Sequence, residues 1–204
     1  FDDPEVREEL ALYYSSVRRA DDCLEAVLQA LKKSGEWDNT MLVFLSDHGM
    51  PLPFAKTQLY HHSTRTPLMV RIPGVTKAGK VEKQHMVSVL DLLPTVLDTL
   101  KIEKPTRLDG RSFYPLLKGE KQEGWDYVIK QYHENSGRSR DPMRAIQTKT
   151  HLYLFNPWSN GERVFATATN GTVTCKRMIA LAEEDEEMNQ RLELYRFRVP
   201  QELY

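Results

Sequence analysis

Several broad classes are excluded by what this chain has little of. It carries two cysteines, Cys23 and Cys175, in 204 residues, too few for a disulfide framework. Neither sits in a motif, so both read as ordinary small buried residues. Neither charge sign is in excess: 28 Lys+Arg stand against 29 Asp+Glu, a formal net charge of −1. A dedicated nucleic-acid binder needs a basic surplus, so no nucleic-acid partner is expected. No apolar run approaches the roughly 18 residues of a membrane span. There is no internal repeat, no low-complexity tract and no recognisable leader segment. The chain begins at Phe1 without Met and stops at Tyr204 within an expected strand, so both ends read as cut and a longer parent is expected.

What remains is 40% hydrophobic, enough for one large domain or a domain with a small appendage. Asp3-Pro4-Glu5 is a helix start, with a capping Asp, Pro in the first turn and an acid behind it. Val6, Leu10, Tyr13, Tyr14, Val17, Leu24, Val27, Leu28 and Leu31 follow at helical spacing. The Tyr13-Tyr14 pair reads as core, and Lys32, Lys33 and Gly35 close the helix. Asp38-Asn39 then turns the chain into an apolar strand, Thr40 to Ser46. Long helix, short loop and apolar strand are the grammar of a parallel α/β sheet.

Pro51 and Pro53 place residues 49 to 66 in a loop, and a second strand runs from Pro67 to Ile72. A polar, Lys-rich connection covers residues 75 to 85. A helix starts near Asp91, because Pro94 fits only its first turn. Asp109-Gly110-Arg111 is a turn before a short segment, Phe113 to Leu117. Near Lys118 the texture changes to short strands between turns: Tyr127 to Tyr132, Met143 to Thr148 and His151 to Phe155. Asn170-Gly171 carries a hairpin signal. Arg177 to Leu194 reads as one charged amphipathic helix that buries Met178, Leu181, Met188 and Leu192. The expected organisation is two parts: residues 1–118, part of an α/β domain, and residues 119–204, a small antiparallel-sheet subdomain with one helix.

The most informative stretch is Phe44-Leu45-Ser46-Asp47-His48-Gly49-Met50. An apolar strand ends abruptly in a carboxylate, an imidazole and a glycine. Open α/β sheets bind ligands at the carboxyl edge of their strands. Asp and His together suit a divalent cation. Neighbouring strand residues point to opposite faces, so both side chains reach one ion only if the strand ends between them. The plainer reading is a turn-capping Asp beside a surface His. Lys56 lies nine positions after Asp47 in the loop leaving the same edge, where an ammonium would neutralise an anionic substrate oxygen. His61 and His62, followed by Arg65, offer imidazoles to complete a metal site or to protonate a leaving group. Tyr132-His133-Glu134-Asn135-Ser136-Gly137-Arg138-Ser139-Arg140 is a basic, donor-rich run of the kind that grips an anionic or sugar substrate. A plain surface loop is its bland reading.

These residues resemble a family. Ser46-Asp47-His48-Gly49, the nearby Lys56 and Thr66-Pro67-Leu68-Met69-Val70-Arg71-Ile72-Pro73-Gly74 look like the second half of a sulfatase. So do Ser88-Val89-Leu90-Asp91-Leu92-Leu93-Pro94-Thr95 and Leu108-Asp109-Gly110-Arg111-Ser112-Phe113. Met143-Arg144-Ala145-Ile146-Gln147-Thr148 and Glu202-Leu203-Tyr204 are similar to the family's small antiparallel subdomain. The short gap from Asp47 to Lys56 is most like the heparan N-sulfatase (sulfamidase) branch.

The resemblance implies an alkaline-phosphatase-like α/β fold and a calcium ion, with Asp47 and His48 as metal ligands. Zinc is the alternative, since histidine prefers it. It implies Lys56 as the catalytic, positively charged residue that contacts the sulfate, with His133, Arg138 and Arg140 as candidates for substrate choice. The implied substrate is a sulfated carbohydrate or another sulfate ester, and export to the periplasm, lysosome or medium is the implied localisation. Family members use a formylglycine made within a Cys/Ser-x-Pro-x-Arg motif. This chain has no such motif: Leu24-Glu25-Ala26-Val27 follows Cys23, and Lys176-Arg177-Met178-Ile179 follows Cys175. The nucleophile and the first metal aspartates are therefore expected in a missing N-terminal part, and the chain alone is expected to be inactive. Two other readings stay open at this point. One is a zinc phosphodiesterase of the same superfamily, and the other a non-catalytic binding or assembly fragment.

Overall fold

The computed structural model describes residues 2–135 and 137–204. Phe1, named above as a cut end, and Ser136 of the basic run lie outside the described residues. Helix α1, Pro4–Lys33, starts as expected. The Asp3 side chain accepts from the Glu5 and Val6 backbone N–H groups, and Lys32 and Lys33 occupy the last turn. Gly35 follows at φ 81°, the left-handed value that ends helices. The expected buried stripe of α1 is absent within this chain. Of its residues only Val6 is buried, while Tyr14, Val17 and Val27 are exposed. Tyr13 and Tyr14 pack edge to face on each other rather than in a core. Cys23 is also exposed, contrary to expectation, whereas Cys175 is buried.

Strand β1, Leu42–Leu45, pairs with β2, Leu68–Arg71, in antiparallel register, Leu42 opposite Arg71 and Leu45 opposite Leu68. The expected parallel grammar does not hold for these two strands. A parallel pairing needs a crossover of a dozen or more residues that returns the chain to the same end of the sheet. The segment between β1 and β2 instead turns back through α2, His61–Thr64, a short helical turn. Nor is β1 buried, because Phe44 and Leu45 stay exposed. The Ser88 hydroxyl caps the next helical stretch, not Asp91. Asp91 is the returning arm of a capping box, and α3 runs Leu92–Leu100. Asp91 also receives the Arg111 N–H at 2.9 Å. At Gly110 a Cβ would lie 2.0 Å from the Leu90 carbonyl oxygen. The Ser-x-x-Asp and Asp-Gly-Arg segments are thus one scaffold clamp, closed by α4, Tyr114–Lys118.

The antiparallel expectation for the C-terminal part is met. β3, Tyr127–Glu134, β4, Arg140–Thr148, β5, Leu152–Phe155, and β6, Gln201–Leu203, form a four-stranded sheet in that order. Alternate residues of β4 point inward, with Asp141, Met143 and Ala145 buried. The single helix expected over Arg177 to Leu194 is two: α5, Val173–Leu181, and α6, Glu186–Phe197. The acidic run breaks it, because Asp185 turns its side chain onto the Met188 N–H as an N-cap. Asn170-Gly171 is not a hairpin but the approach to α5, whose cap is Thr172. Met178, Met188 and Leu192 are buried as expected, with Cys175 and Tyr195 beside them and Leu181 packed against the cluster.

The long connection between β1 and β2 does not stay with those strands. Leu59 and Tyr60 are members of the core that Met143, Ala145, Leu152, Leu154, Trp158 and Phe165 form behind the C-terminal sheet. Phe54 packs against that core and against the α5–α6 cluster as well. At the other end, Glu9 of α1 accepts from the Val173 and Thr174 backbone N–H groups at 2.9 and 2.8 Å. Among the described residues no helix is long and apolar enough to cross a membrane.

Candidate functional site

β1 stops at Leu45, so Asp47 and His48 both lie beyond the pleat and are free to face one way. They do: His48 Nε2 stands 3.6 Å from Asp47 Oδ1. His48 Nδ1 is 2.8 Å from the Gly49 carbonyl oxygen. A carbonyl only accepts, so Nδ1 carries the proton and, in the neutral ring, Nε2 presents a lone pair. Two Lewis bases then sit side by side with no proton between them, an arrangement that a cation satisfies. A ring N–H anchored to a backbone carbonyl is also how metal-ligating histidines are commonly oriented. The Asp47 carboxylate is largely open to solvent, at 85% side-chain exposure, so it is accessible to groups outside this chain.

The backbone that presents this pair is tightly held. Ser46 donates its hydroxyl to the His48 carbonyl at 2.8 Å, and the Gly49 N–H bonds the Ser63 carbonyl at 3.0 Å. A Cβ on Gly49 would fall 1.9 Å from the His62 carbonyl oxygen and 2.7 Å from that of Ala55. Only glycine lets this strand-end turn lie between those two segments. Gly49→Ala is expected to lower stability by about 2 kcal/mol or more, as overpacking against backbone does. A melting curve equal to that of the native chain would overturn this close-approach argument.

Ala55 immediately precedes Lys56, so Gly49 brings the Asp47-His48 turn against the loop that carries the lysine. Phe54 and Thr57 on either side of Lys56 have φ 64° and 56°, values that non-glycine residues adopt at a cost of about 1 kcal/mol or more each. Such backbone persists where its surroundings over-determine it. Here Thr57 donates to the Lys56 carbonyl at 2.8 Å and meets the Thr167 hydroxyl, while Gln58 N–H bonds Ser63 Oγ at 3.3 Å. Lys56 is half-buried and, among the described residues, forms no ion pair. The Gln58 amide is buried with neither its oxygen nor its nitrogen hydrogen-bonded among the described residues.

The two further imidazoles do not join a metal centre. Among the described residues no group of three or more His, Cys, Asp or Glu could hold an ion. His61 Nδ1 instead accepts from the Gln147 amide at 2.6 Å, and burial holds its pKa below the usual histidine value. Gln147 Oε1 in turn accepts from Lys130, whose ammonium also reaches the Leu59 carbonyl at 3.2 Å. Burial brings the Lys130 pKa down to about 8. His62 is exposed, with its ring edge-on to His61. His133 is exposed on β3, and Arg140 pairs with Glu134 at 3.3 Å. Arg138 sits at φ 61° in the β3–β4 connection. Among the described residues His133, Arg138 and Arg140 share no hydrogen bond with Asp47, His48 or Lys56. An open cleft of about 470 Å³ lies elsewhere, lined by Gln84, His85, Trp125 and Lys149 among others, and it contains none of the expected site residues.

Sequence reasoning missed Tyr60, Lys130, Gln147, Arg198 and Glu202. The last four form hydrogen bonds with residues 59–61 from as far away as the last strand, and no local pattern marks them.

Comparison with known proteins gives the class. The chain belongs to the sulfatase family: the family model described as Sulfatase matches residues 1–102, half of the chain. It is similar to human N-sulphoglucosamine sulphohydrolase, 35% identical over 162 residues, which cover 75% of this chain and 32% of that protein. A solved structure from Bacteroides thetaiotaomicron VPI-5482 superposes with a TM-score of 0.70 at 23% identity, covering 96% of this chain and 46% of that one. BT4656, solved with its substrate D-glucosamine-2-N,6-O-disulfate, superposes with a TM-score of 0.58 at 25% identity, covering 87% of this chain and 38% of that one. The chain thus spans about a third of the length of the human relative. The alkaline-phosphatase-like fold expected from the sequence is that of these neighbours.

Proposed function

We propose that the protein carrying this chain hydrolyses sulfate esters or sulfamates of a sulfated carbohydrate in a metal-dependent reaction. One observation carries the reading: Asp47 Oδ1 and the proton-free face of His48 converge at the end of β1. Family membership supports the reaction class, and the sulfated glucosamine bound by BT4656 supports a sulfated amino sugar as substrate. Asp47 and His48 are the ligands this chain offers to a divalent cation, with calcium as the first candidate and zinc as the alternative. When bound, such an ion withdraws negative charge from oxygens of the reacting group.

The chain's own residues divide the remaining work. Asp47 supplies the anionic oxygen that anchors the site, and His48, locked by Gly49, supplies a nitrogen of fixed direction. Lys56 places its ammonium against a sulfuryl oxygen and neutralises the charge that builds there as the S–O or S–N bond breaks. His133, Arg138 and Arg140 select among substrates at the rim of the C-terminal sheet. The nucleophile, an expected formylglycine, and the remaining metal ligands belong to an N-terminal part of the same protein. Residues 1–118 complete that part's catalytic domain, and residues 119–204 form a subdomain behind it. The isolated chain is inactive on this reading, and the parent is exported.

The test uses the full-length protein on N-sulfated and 6-O-sulfated glucosamine, with a phosphodiester as control. Sulfate release that chelation abolishes and calcium restores supports the reading. Zinc-dependent cleavage of the phosphodiester without sulfate release would move the protein to the phosphoesterases of the superfamily. Absence of any turnover would leave an assembly role.

A further inference from the structure

We infer that Arg198 is a positioning residue for Lys56, acting through Phe54 and Tyr60. The inference deepens the proposed function and rests on Lys56 having the role given above.

Arg198 is 4% exposed, and a guanidinium so deep is costly unless its charge is met. Among the described residues no carboxylate forms an ion pair with it. Four rings surround it instead, with centroids 5.4 Å away for Phe54, 5.2 Å for Tyr60, 5.1 Å for Phe165 and 5.5 Å for Tyr195. Each is within cation–π range, and desolvation strengthens such contacts. Arg198 Nη1 also donates to the Tyr60 hydroxyl at 3.2 Å and to the Leu194 carbonyl at 3.3 Å. An arginine cannot accept, so Tyr60 must turn its own proton elsewhere. It donates to Glu202 Oε2 at 2.6 Å. Both directions are fixed, because the guanidinium only donates and the Glu202 carboxylate only accepts. Glu202 is held in turn by Tyr204 at 2.7 Å and by Asn156 at 2.8 Å.

The two rings from outside the C-terminal part, Phe54 and Tyr60, bracket Lys56 in sequence. They pack edge to face at 5.4 Å, so the segment between them closes on itself. That segment contains both strained residues, Phe54 and Thr57. The Lys56 ammonium has no ion-pair partner of its own among the described residues. Its aim comes from the backbone, and the backbone is held at both ends by rings seated on one buried cation. A hydrophobic residue would fill the same space but give up the four ring contacts to the cation and the Nη1 bond to the Tyr60 hydroxyl. Displacing a charge-stabilising group by about 1 Å is enough to cost up to about 10²-fold in rate.

The experiment is a double-mutant cycle in the full-length protein, read as kcat and KM on the sulfated sugar. Arg198→Met is expected to lower kcat by about 10-fold with KM nearly unchanged. In a Lys56→Ala background the same substitution should lower kcat less than about twofold, because the group it positions is gone. Arg198→Lys, which keeps a cation among the rings, should recover part of the loss. Equal fractional losses in both backgrounds would reveal a merely structural residue, and wild-type kcat in Arg198→Met would overturn the inference outright. If Arg198→Met does not fold, Tyr60→Phe replaces it in the cycle, keeping the ring and removing the bonded hydroxyl. It is expected to show the same non-additivity at a smaller loss, and additivity there would be equally fatal. Should Lys56→Ala itself leave kcat untouched, the site assignment falls first. Should Lys56→Ala be impaired while Arg198→Met is not, only the inference falls.

Discussion

Asp47→Ala in the full-length protein is expected to lower kcat for a sulfated sugar by about 10³-fold or more, the loss of several kcal/mol that a bound cation supplies to charge stabilisation. The reasoning starts from exposure. Among the described residues no Lys or Arg pairs with the carboxylate, and the His48 nitrogen 3.6 Å from it is the one left without a proton when Nδ1 donates to Gly49. Removing the carboxylate therefore breaks no packing and leaves the Ser46–His48 and Gly49–Ser63 backbone bonds untouched. Stability without metal should stay close to the native value, as for a surface substitution. Metal content measured on the purified variant should drop in parallel with activity, and raised calcium should restore part of it. Full activity with full metal content would remove Asp47 from the site and with it the central observation. His48→Asn provides the companion result, keeping a donor atom but not the locked ring.

Lys56→Ala is expected to reduce kcat and kcat/KM together by about 10²-fold or more, the pattern of an interaction made mainly in the transition state. Lys56→Arg should retain part of the rate, because positive charge remains on the same backbone. A rise in KM alone would mean uniform substrate binding and not charge stabilisation. The folded state should tolerate the alanine, since the side chain forms no ion pair among the described residues. Chemical denaturation with unchanged midpoint is the control that separates lost chemistry from lost structure.

How much of this could be read from residues alone follows from how local each signal is. The start of α1 was legible because Asp3, Pro4 and Glu5 act within one turn. The strand-end pair was legible because an apolar run, Asp47, His48 and Gly49 are contiguous. The direction of strand pairing was not, since it depends on where a connection of more than twenty residues (46 to 67) returns the chain. The helix over 177–194 looked continuous because its apolar spacing survives the break. Only the side chain of Asp185, turned back onto Met188, reveals two helices. The tyrosines of α1 read as buried from their amphipathic spacing. That spacing reports a face meant to be covered, and among the described residues only its first member, Val6, is buried. Arg198 carries no local signal at all, lying beyond the expected end of the helix over 177–194. Its meaning depends on Tyr60, 138 positions away, and no window along a sequence spans that distance.

The plugging of Leu59 and Tyr60 into the C-terminal core has a practical consequence for anyone building hybrids between relatives. A graft joined at the apparent seam near residue 118 would separate the basic loop from the aromatic socket it grew up with. Transplanting residues 54–60 together with 127–204 keeps plug and socket from one parent, so the graft is two pieces of chain rather than one.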